Sequence, residues 1–418
     1  MFSFLYNRKL ILFVYKPLTL RMYVCYNVYA TGDGYMQKIT KGYVFRMYPN
    51  EKQINLIEKS FECSRFIYNH FLNMSNNYIN KYDCIKQLPL LERENVWLKE
   101  VDSCLLRCSI FDLENGYQRY KNKLGSKPKF KSKNKSRQSY RTNNIRSIYK
   151  GKEYNSISID LDSGVIKLPK LKEVSIRGYR NLKSIDGRVI NATIYKEAGK
   201  YYVSVCVESY VVIPNIVPTK IVGIDLGLKD LVITSNGEYF GNKKYIKKYE
   251  KKIKGLNRWL ARAKSGSKNR YKIKLKLQTL YKKLKNARKF LLHSISKELT
   301  DDNDIIVSEN LHIKNMVQNK HLSKSILDAS WSELIRQLKY KCIWKNKRFY
   351  QVDTYYPSSQ ICSRCGYKES KVKDLSVRFW ECPNCTNKNN RDLNASINIM
   401  FEGIKMYMER ELIELQVN

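Results

Sequence analysis

Two Cys-x2-Cys pairs near the carboxyl end constrain the fold of this chain more than any other feature of its sequence. Cys362 and Cys365 form the first pair, Cys382 and Cys385 form the second, and sixteen residues separate them. Four thiolates at this spacing are the ligand set of a zinc ribbon. Because the cysteines fill all four positions of a tetrahedral site, we expect one structural zinc ion there.

The other seven cysteines are scattered along the 418-residue chain. One paired cluster beside many free thiols is typical of a protein in a reducing compartment and excludes a disulfide scaffold. No apolar run reaches the roughly 18 residues of a membrane-spanning helix, so we expect no membrane partner. Residues 1–36 lack a clear signal-peptide cleavage site, and we interpret them as an upstream extension of little function. The protein is thus expected inside the cell, in a reducing compartment such as the cytoplasm, the nucleus or the nucleoid, and not to be secreted.

The charge of the chain predicts a polyanionic partner. Lys and Arg number 78 against 38 acids, which gives a formal net charge of +40. Nucleic acid is the first candidate for such a partner, although a membrane surface also attracts a basic protein.

The positive charge is densest in residues 243–291. Between Lys243 and Lys289 there are twenty Lys or Arg residues and one acid, Glu250. Apolar residues recur at alternating steps of three and four on either side of a Ser-Gly-Ser turn, which predicts two helices packed as a hairpin. A merely solvated helix would mix charge signs, so we expect this hairpin to face a polyanion.

A second basic segment, residues 126–141, is interrupted by Pro128. It is either a solvated loop or a phosphate-contacting segment in which Phe130 and Tyr140 pack or stack between the cations. The sequence favours neither alternative.

The amino-terminal half predicts a small β-barrel with a helical insertion. Residues 37–50 and 145–215 alternate in the manner of strands, and one hairpin is expected to turn at Ala198-Gly199. Residues 51–144 between them are predominantly helical by their three- and four-residue apolar spacing.

Three acids follow buried or amphipathic elements in the carboxyl-terminal half. Asp225 ends the apolar stretch IVGID, Glu309 follows IIVS, and Asp392 lies in the first turn of an amphipathic helix. Carboxylates from two strands and one helix can converge on two Mg²⁺ or Mn²⁺ ions and support phosphodiester hydrolysis. Each acid alone also has a structural explanation, as a partner of a cation, a strand-end surface residue or a helix N-terminal acid.

Several local stretches resemble the TnpB, or OrfB-type, transposase-like proteins of insertion sequences, which are related to Fanzor proteins and type V CRISPR effectors. These stretches lie within residues 37–405 and are FRMYPNEKQ, SRFIYNHFLN, WLKEVDS, PKFKSK, GIDLGLKDLVITSNGE, SENLHIKNM, SQICSRCG and NRDLNASINI.

The resemblance implies an α/β protein with an RNase H-like (RuvC) nuclease core. We expect this core at 220–358 and 388–405, a zinc ribbon at 359–387 and a tail at 406–418. It also implies a wedge-like barrel at 37–50 and 145–215, and a helical recognition insertion at 51–144.

The resemblance further implies an RNA-guided DNA endonuclease with a guide RNA and a double-stranded DNA target. Asp225, Glu309 and Asp392 match the catalytic, magnesium-binding acids of the family. Arg288 and His293 match a helix pattern whose role is open.

The chain departs from the family pattern just before the third acid. Asn389-Asn390 stand where the family often has His-Asp, while Arg391 and Asp392 are retained. One hypothesis is that loss of this additional acid weakens the binding of the metal ions. We favour a competent nuclease, and the alternative is a nuclease-inactive nucleic-acid-binding accessory protein that regulates transposition.

Overall fold

A computed structural model of the chain describes residues 28–31, 34–75, 78–134, 136–149, 151–178, 182, 184–214 and 218–416. These residues form a mixed α/β protein with two large sheets. Most of the expected upstream extension, residues 1–27, lies outside the described residues. Within the rest of that extension, Val28–Thr31 forms a strand that pairs with the next one.

In the residues that the structure describes, the amino-terminal part contains ten strands, three α-helices and a short 3-10 helix at Val96–Glu100. The strands are β1 (Val28–Thr31), β2 (Gly34–Tyr48), β3 (Ser139–Asn143), β4 (Arg146–Tyr149), β5 (Lys152–Asn155), β6 (Ser158–Asp160), β7 (Val165–Leu168), β8 (Lys172–Arg177), β9 (Arg188–Glu197) and β10 (Lys200–Pro214). The helices are α1 (Glu51–Met74), α2 (Lys81–Glu94) and α3 (Ser103–Lys121).

Eight of these strands form one antiparallel sheet. Its order is β3-β9-β10-β2-β8-β7-β6, with β1 paired to the start of β2, while β4 and β5 form a separate ribbon. Among the described residues the hydrogen-bonded path ends at β3 and β6, so closure of this sheet into a barrel stays a prediction.

The hairpin between β9 and β10 turns where the sequence predicts. Ala198 and Gly199 both have positive φ angles, of 49° and 73°. A two-residue turn with positive φ at both central positions matches the right-handed twist of the strands that it joins. The turn therefore sets the register between these long strands.

The three helices share one hydrophobic core with the sheet. Ile57 of α1 and Leu105 of α3 are fully buried in the same cluster as Phe45 of β2 and Val203 of β10. A capping box between Asn50 and Gln53 starts α1 directly after β2. The inserted helices are thus held by the hydrophobic effect against the sheet that they interrupt.

The carboxyl-terminal part is built from seven strands and six helices in the described residues. The strands are β11 (Ile221–Asp225), β12 (Asp230–Thr234), β13 (Tyr239–Gly241), β14 (Ile305–Ser308), β15 (Arg348–Gln351), β16 (Phe379–Glu381) and β17 (Lys388–Asn390). The helices are α4 (Tyr245–Arg262), α5 (Lys268–Asp302), α6 (Ile313–Met316), α7 (Ser323–Ala329), α8 (Trp331–Trp344) and α9 (Arg391–Gln416).

Two helices run beyond the boundaries expected from the sequence. The second hairpin helix, α5, continues from 291 to Asp302, because Leu292, Ile295 and Leu299 are buried against the second sheet. The last helix, α9, continues through the expected tail to Gln416. Positions 291 and 405 are therefore not helix ends.

The second sheet has the order β13-β12-β11-β14-β15 and is mixed. β14 and β15 run parallel to β11, whereas β12 and β13 are antiparallel to their neighbours. Successive side chains point to opposite faces of a strand. Val222, Ile224 and Ile306 therefore pack on the side of α5 and α8, and Ile305 and Val307 pack with α9.

Helix α9 lies unusually close to this sheet because glycines stand at the points of contact. A Cβ atom on Gly223 would lie 2.1 Å from the carbonyl oxygen of Ser396 and 2.5 Å from the main-chain nitrogen of Met400. Where α9 crosses β14, a Cβ atom on Gly403 would lie 2.1 Å from a methyl group of Val307. Only residues without a side chain allow this approach.

We expect Gly223→Ala to destabilise the protein by about 1–3 kcal/mol, because the added methyl group meets main-chain atoms that cannot move alone. Urea unfolding followed by circular dichroism measures the change. Gly255→Ala is the control, since no atom lies within 4 Å of its added Cβ in α4, and we expect it to be neutral or stabilising by up to about 1 kcal/mol. Equal stability of the two variants would contradict the close contact.

Candidate functional site

Asp225 and Glu309 lie side by side at the carboxyl ends of two parallel strands. The register pairs Ile221 with Ile305 and Ile224 with Ser308, so the next residue of each strand is an acid. Alternation places both acids on the face of the sheet that carries α9. The main-chain N–H of Leu226 donates to Oε1 of Glu309 over 3.0 Å, which fixes that carboxylate beside the end of β11.

Both carboxyl groups of this pair have raised pKa values, mainly because they are buried. Burial raises the pKa of Asp225 to about 7, and the carboxylate of Asp392 contributes to the rise. Burial and the carboxylate of Asp225 raise the pKa of Glu309 well above its usual value. Both effects disfavour the ionised form. The site therefore favours any cation that would neutralise it.

Asp392 reaches the same site from the first turn of α9. Its main-chain N–H and that of Leu393 donate to Oδ1 of Asn390 over 3.1 and 3.2 Å, so Asn390 caps the helix. Both carboxylate oxygens of Asp392 accept from Nη1 of Arg378 at 3.2 Å. The structure thus brings the three predicted acids within electrostatic reach of one another and adds Arg378, which the sequence did not indicate.

The three carboxylates are gathered less tightly than the cysteines. Among the described residues, the four cysteines are the one group of three or more potential ligands whose ligand atoms all lie within 4.8 Å of one another. Sγ of Cys362 lies 3.7 Å from Sγ of Cys385, and Sγ of Cys365 lies 3.5 Å from Sγ of Cys382. Tetrahedral zinc–sulfur bonds of about 2.3 Å place sulfurs about 3.8 Å apart, so this cluster can hold a zinc ion.

The two asparagines that depart from the family pattern have defined contacts. Asn390 is the cap of α9 described above. Nδ2 of buried Asn389 donates to Sγ of Cys362 over 3.8 Å and to the carbonyl oxygen of Asn387 over 3.1 Å. One asparagine therefore supports the cysteine cluster and the other supports the helix that carries Asp392. The sequence showed the substitutions but gave no means of finding these contacts.

The structure gives Arg288 an ion-pair partner and places His293 in a partly buried position. Nε of Arg288 donates to Oδ1 of Asp328 over 2.6 Å, and Oδ2 of Asp328 accepts from the main-chain N–H of Ile246 over 3.0 Å. This bridge ties the start of α4 to α5. Burial, helped by the positive charge of Lys341, lowers the pKa of His293 to about 4, so its imidazole is neutral at physiological pH.

The expected basic hairpin is present and is attached to the first sheet. Nζ of Lys282 lies 2.8 Å from Oε2 of Glu197, which ends β9, and 3.5 Å from the ring centre of Tyr202. The ring of Tyr202 stacks on that of Tyr195 at 5.4 Å, and the guanidinium of Arg137 covers Tyr195 at 4.1 Å. Helix α4, described in full, buries none of its residues. Its cationic side chains therefore stay available to a polyanion.

The described part of the basic segment at 126–141 is packed against the protein in some places and exposed in others, and its contact with phosphate stays a prediction. Lys131 lies over the ring of Tyr68 at 3.6 Å and its main chain pairs with Asn69, so this part folds onto α1. Tyr140 is buried beside Phe61 in the core. Phe130, by contrast, is 62% exposed. One of the two aromatic residues packs, and the other is free to contact a partner.

None of the helices in the described ranges combines the length and the apolar character that crossing a lipid bilayer requires.

Three family models match separate parts of the chain. A helix-turn-helix model of IS605-type OrfB proteins matches residues 36–84, and an OrfB model of the same type, described as "Probable transposase", matches residues 204–320. A model for the TNB domain of Cas12f1-like proteins matches residues 331–399. These matches confirm the resemblance to the OrfB, or TnpB, proteins.

Curated relatives extend the similarity over most of the chain. A Streptomyces pristinaespiralis protein named as a candidate RNA-guided DNA endonuclease is 29% identical over 381 residues, which are 88% of this chain and 90% of the relative. InsQ of Escherichia coli (strain K12), named in the same way, is 29% identical over 401 residues, which are 90% of this chain and 96% of InsQ. A TnpB-like protein of Acanthamoeba polyphaga mimivirus is 26% identical over 204 residues, which are 45% of this chain and 38% of that protein.

Solved structures include a weak match to Cas12f1 in complex with single-guide RNA and target DNA. The alignment covers 87% of this chain and 99% of that chain at 16% identity, with a TM-score of 0.34.

We expect the purified chain to contain one zinc ion, and Cys382→Ser to lose it and to unfold at a lower temperature. Structural zinc contributes about 10 kcal/mol or more of folding free energy in small zinc-finger peptides, so its loss should be conspicuous. Mass spectrometry of the metal and thermal unfolding measure both effects. Cys206→Ser, a half-buried thiol outside the cluster, should keep its zinc. A metal-free wild-type chain that is fully folded would contradict the prediction.

Proposed function

We propose that this chain, which is similar to the OrfB, or TnpB, proteins of insertion sequences, is an RNA-guided, divalent-metal-dependent DNA endonuclease of a transposable element. Two relatives that match about nine-tenths of the chain are named as candidate RNA-guided DNA endonucleases. The observation that carries the proposal is the pairing of Asp225 and Glu309 at the ends of parallel strands, with Asp392 facing them from α9.

We propose that the second sheet, covered by helices on both faces, is the RNase H-like core that the resemblance implies. Its expected limits are 220–358 and 388–405, with the zinc ribbon of 359–387 between them. The ribbon's four cysteines leave no position for water or substrate, so its zinc would be structural. The first sheet would be the wedge-like domain, and α1 to α3 the recognition insertion.

The three acids fit two Mg²⁺ or Mn²⁺ ions. Carboxylate oxygens are hard ligands of the kind that these ions prefer. Burial, together with the neighbouring carboxylates, raises the pKa values of Asp225 and Glu309, and divalent cations would offset this cost of holding the acids ionised. Metal ions bound there would supply an activated water molecule and would stabilise the leaving oxygen of a phosphodiester.

The residues of the chain hold these ligands in place. Asp225 and Glu309 are fixed by the parallel register of their strands, and the N–H of Leu226 orients Glu309. Asp392 is fixed by the helix that Asn390 caps and by its contact with Arg378.

We propose that the basic hairpin and the segment at 126–141 bind the backbones of the guide RNA and the target DNA. The exposed lysines of α4 and α5 offer charge without a pattern of base-reading side chains. A protein that holds an RNA–DNA heteroduplex recognises its shape and charge, while base pairing provides the sequence specificity.

The competing hypothesis is a nuclease-inactive accessory protein that regulates transposition. It was suggested by Asn389-Asn390, where the family often has His-Asp. Asn389 contacts Cys362, and Asn390 caps α9, so both residues have a structural role. Since all three acids are retained, these contacts support a competent nuclease.

We expect Asp225→Ala to abolish DNA cleavage while leaving RNA binding intact. Losing a residue that merely supports a metal ligand typically costs 10–100-fold, so loss of a ligand should cost more than about 100-fold. Asp83→Ala, an exposed acid in α2, is the control and should cut normally. Cleavage of guide-matched DNA in Mg²⁺ measures the effect. A wild-type chain that binds RNA and never cuts would favour the accessory protein, and cutting by Asp225→Ala would exclude this site.

We expect RNA binding to weaken steeply as salt rises, because phosphate contacts release bound counterions. Replacing Lys272, Lys274 and Lys276, which are exposed on α5, by Ala should reduce the log–log salt slope by roughly 2. Fluorescence anisotropy with the copurifying RNA measures the slopes. A matched triple variant at Lys368, Lys371 and Lys373, which are exposed on the ribbon, should keep the wild-type slope. Equal slopes for both triple variants would contradict an RNA-binding hairpin.

A further inference from the structure

Three buried asparagine amides join the cysteine cluster to helix α9. Asn389, Asn394 and Asn398 are 5%, 2% and 4% exposed, and together they form what we call the asparagine clamp. Burying an amide costs free energy unless its hydrogen bonds are replaced. The partners of these three side chains are therefore the reason for their burial.

Asn394 brackets one zinc ligand on both sides. Its Nδ2 donates to the carbonyl oxygen of Ile361 over 2.6 Å, and its Oδ1 accepts from the main-chain N–H of Ser363 over 2.9 Å. These two peptide groups flank Cys362. One amide on α9 thus fixes the backbone of the first zinc knuckle in two directions.

The other two amides act on the same knuckle. Nδ2 of Asn398, one helical turn after Asn394, donates to the carbonyl oxygens of Ile361 over 2.6 Å and Ser358 over 2.7 Å. Nδ2 of Asn389 donates to Sγ of Cys362 over 3.8 Å. The backbone on either side of Cys362, and its sulfur, are therefore all held by asparagines from β17 and α9.

The segment that leads to the second zinc knuckle also contacts the start of α9. The main-chain N–H of Arg391 donates to the carbonyl oxygen of Arg378 over 2.9 Å, and the side chain of Arg378 holds Asp392. Asp392 stands two residues before Asn394. A movement of either part of the ribbon would therefore move the first turn of α9, which carries the carboxylate.

The apolar face of α9 packs on the second sheet, where buried Ile399 joins Ile305, Val307 and Val352. The asparagine clamp joins α9 to the ribbon. Hydrogen bonds are directional, so buried amides define one relative position of the two parts.

We propose that the asparagine clamp makes the cysteine cluster a positioning element for Asp392, so that the metal state of the ribbon sets the affinity of the three-acid site for divalent cations. This inference rests on the proposed function of that site. Asn394 is the central positioning residue. Because coupling between two binding sites is reciprocal, a divalent cation at the acids must also change the affinity of the cysteine cluster for its own metal ion.

The test is a Mn²⁺ titration followed by electron paramagnetic resonance, with Asp225→Ala defining binding at the acids. We expect Asn394→Ala to keep one zinc ion per chain and to bind Mn²⁺ about 10- to 100-fold more weakly, the usual cost of losing a supporting partner. Asn73→Ala, an exposed asparagine of α1, should bind Mn²⁺ as the wild type does. Unchanged Mn²⁺ affinity in a zinc-loaded Asn394→Ala chain would overturn the proposal.

A second measurement uses the wild-type chain and does not depend on how well the variant folds. With Co²⁺ in place of zinc, the concentration of a chelator with little affinity for Mg²⁺ that removes the sulfur-to-cobalt absorption bands should change when Mg²⁺ is added, and Asp225→Ala should remove that change. A Co²⁺ affinity that stays constant while Mn²⁺ binds at the acids would overturn the clamp and leave the nuclease proposal standing. A wild-type chain with no Mn²⁺ site dependent on Asp225 would instead overturn the proposed function.

Discussion

The contact between helix α9 and the second sheet is the interaction on which the candidate site depends. Gly223 and Gly403 remove the side chains that would hold the helix away, and main-chain atoms of Ser396 and Met400 occupy the space beside β11. Asp225 is two residues after Gly223 and faces the same side. The glycine that admits the helix therefore also places its first turn, with Asp392, next to the carboxylates of the sheet.

Charge is divided unevenly over the molecule, and this division suits a nuclease. The chain has a net charge of +40, yet two acids lie at the ends of β11 and β14 and a third lies on α9 beside them, while cations line the exposed faces of α4 and α5. Glu197 and Tyr202 hold α5 against the first sheet. Helix α5 is thus held in one orientation although its lysines repel one another, and this lowers the entropy cost of binding a rigid polyanion.

Several elements of the fold and the residues of the candidate site could be proposed from the sequence because their patterns are local. The turn at Ala198-Gly199, the two hairpin helices and the cysteine pairs were each visible in short stretches. Helix ends were less predictable. The end of α5 depends on burial of Leu299 against elements distant in sequence, and periodicity alone cannot show which distant partner continues a helix.

The sequence by itself determined which residues are able to hold metal, since the ligand chemistry and the Cys-x2-Cys spacing are local properties. It also determined that Asp225 and Glu309 end buried strands. Only the tertiary structure decided that these strands are parallel neighbours in register, that Arg378 meets Asp392, and that Asn389 and Asn394 hold Cys362. Those contacts depend on which faces pack together across long separations in sequence, and packing is a property of the whole chain.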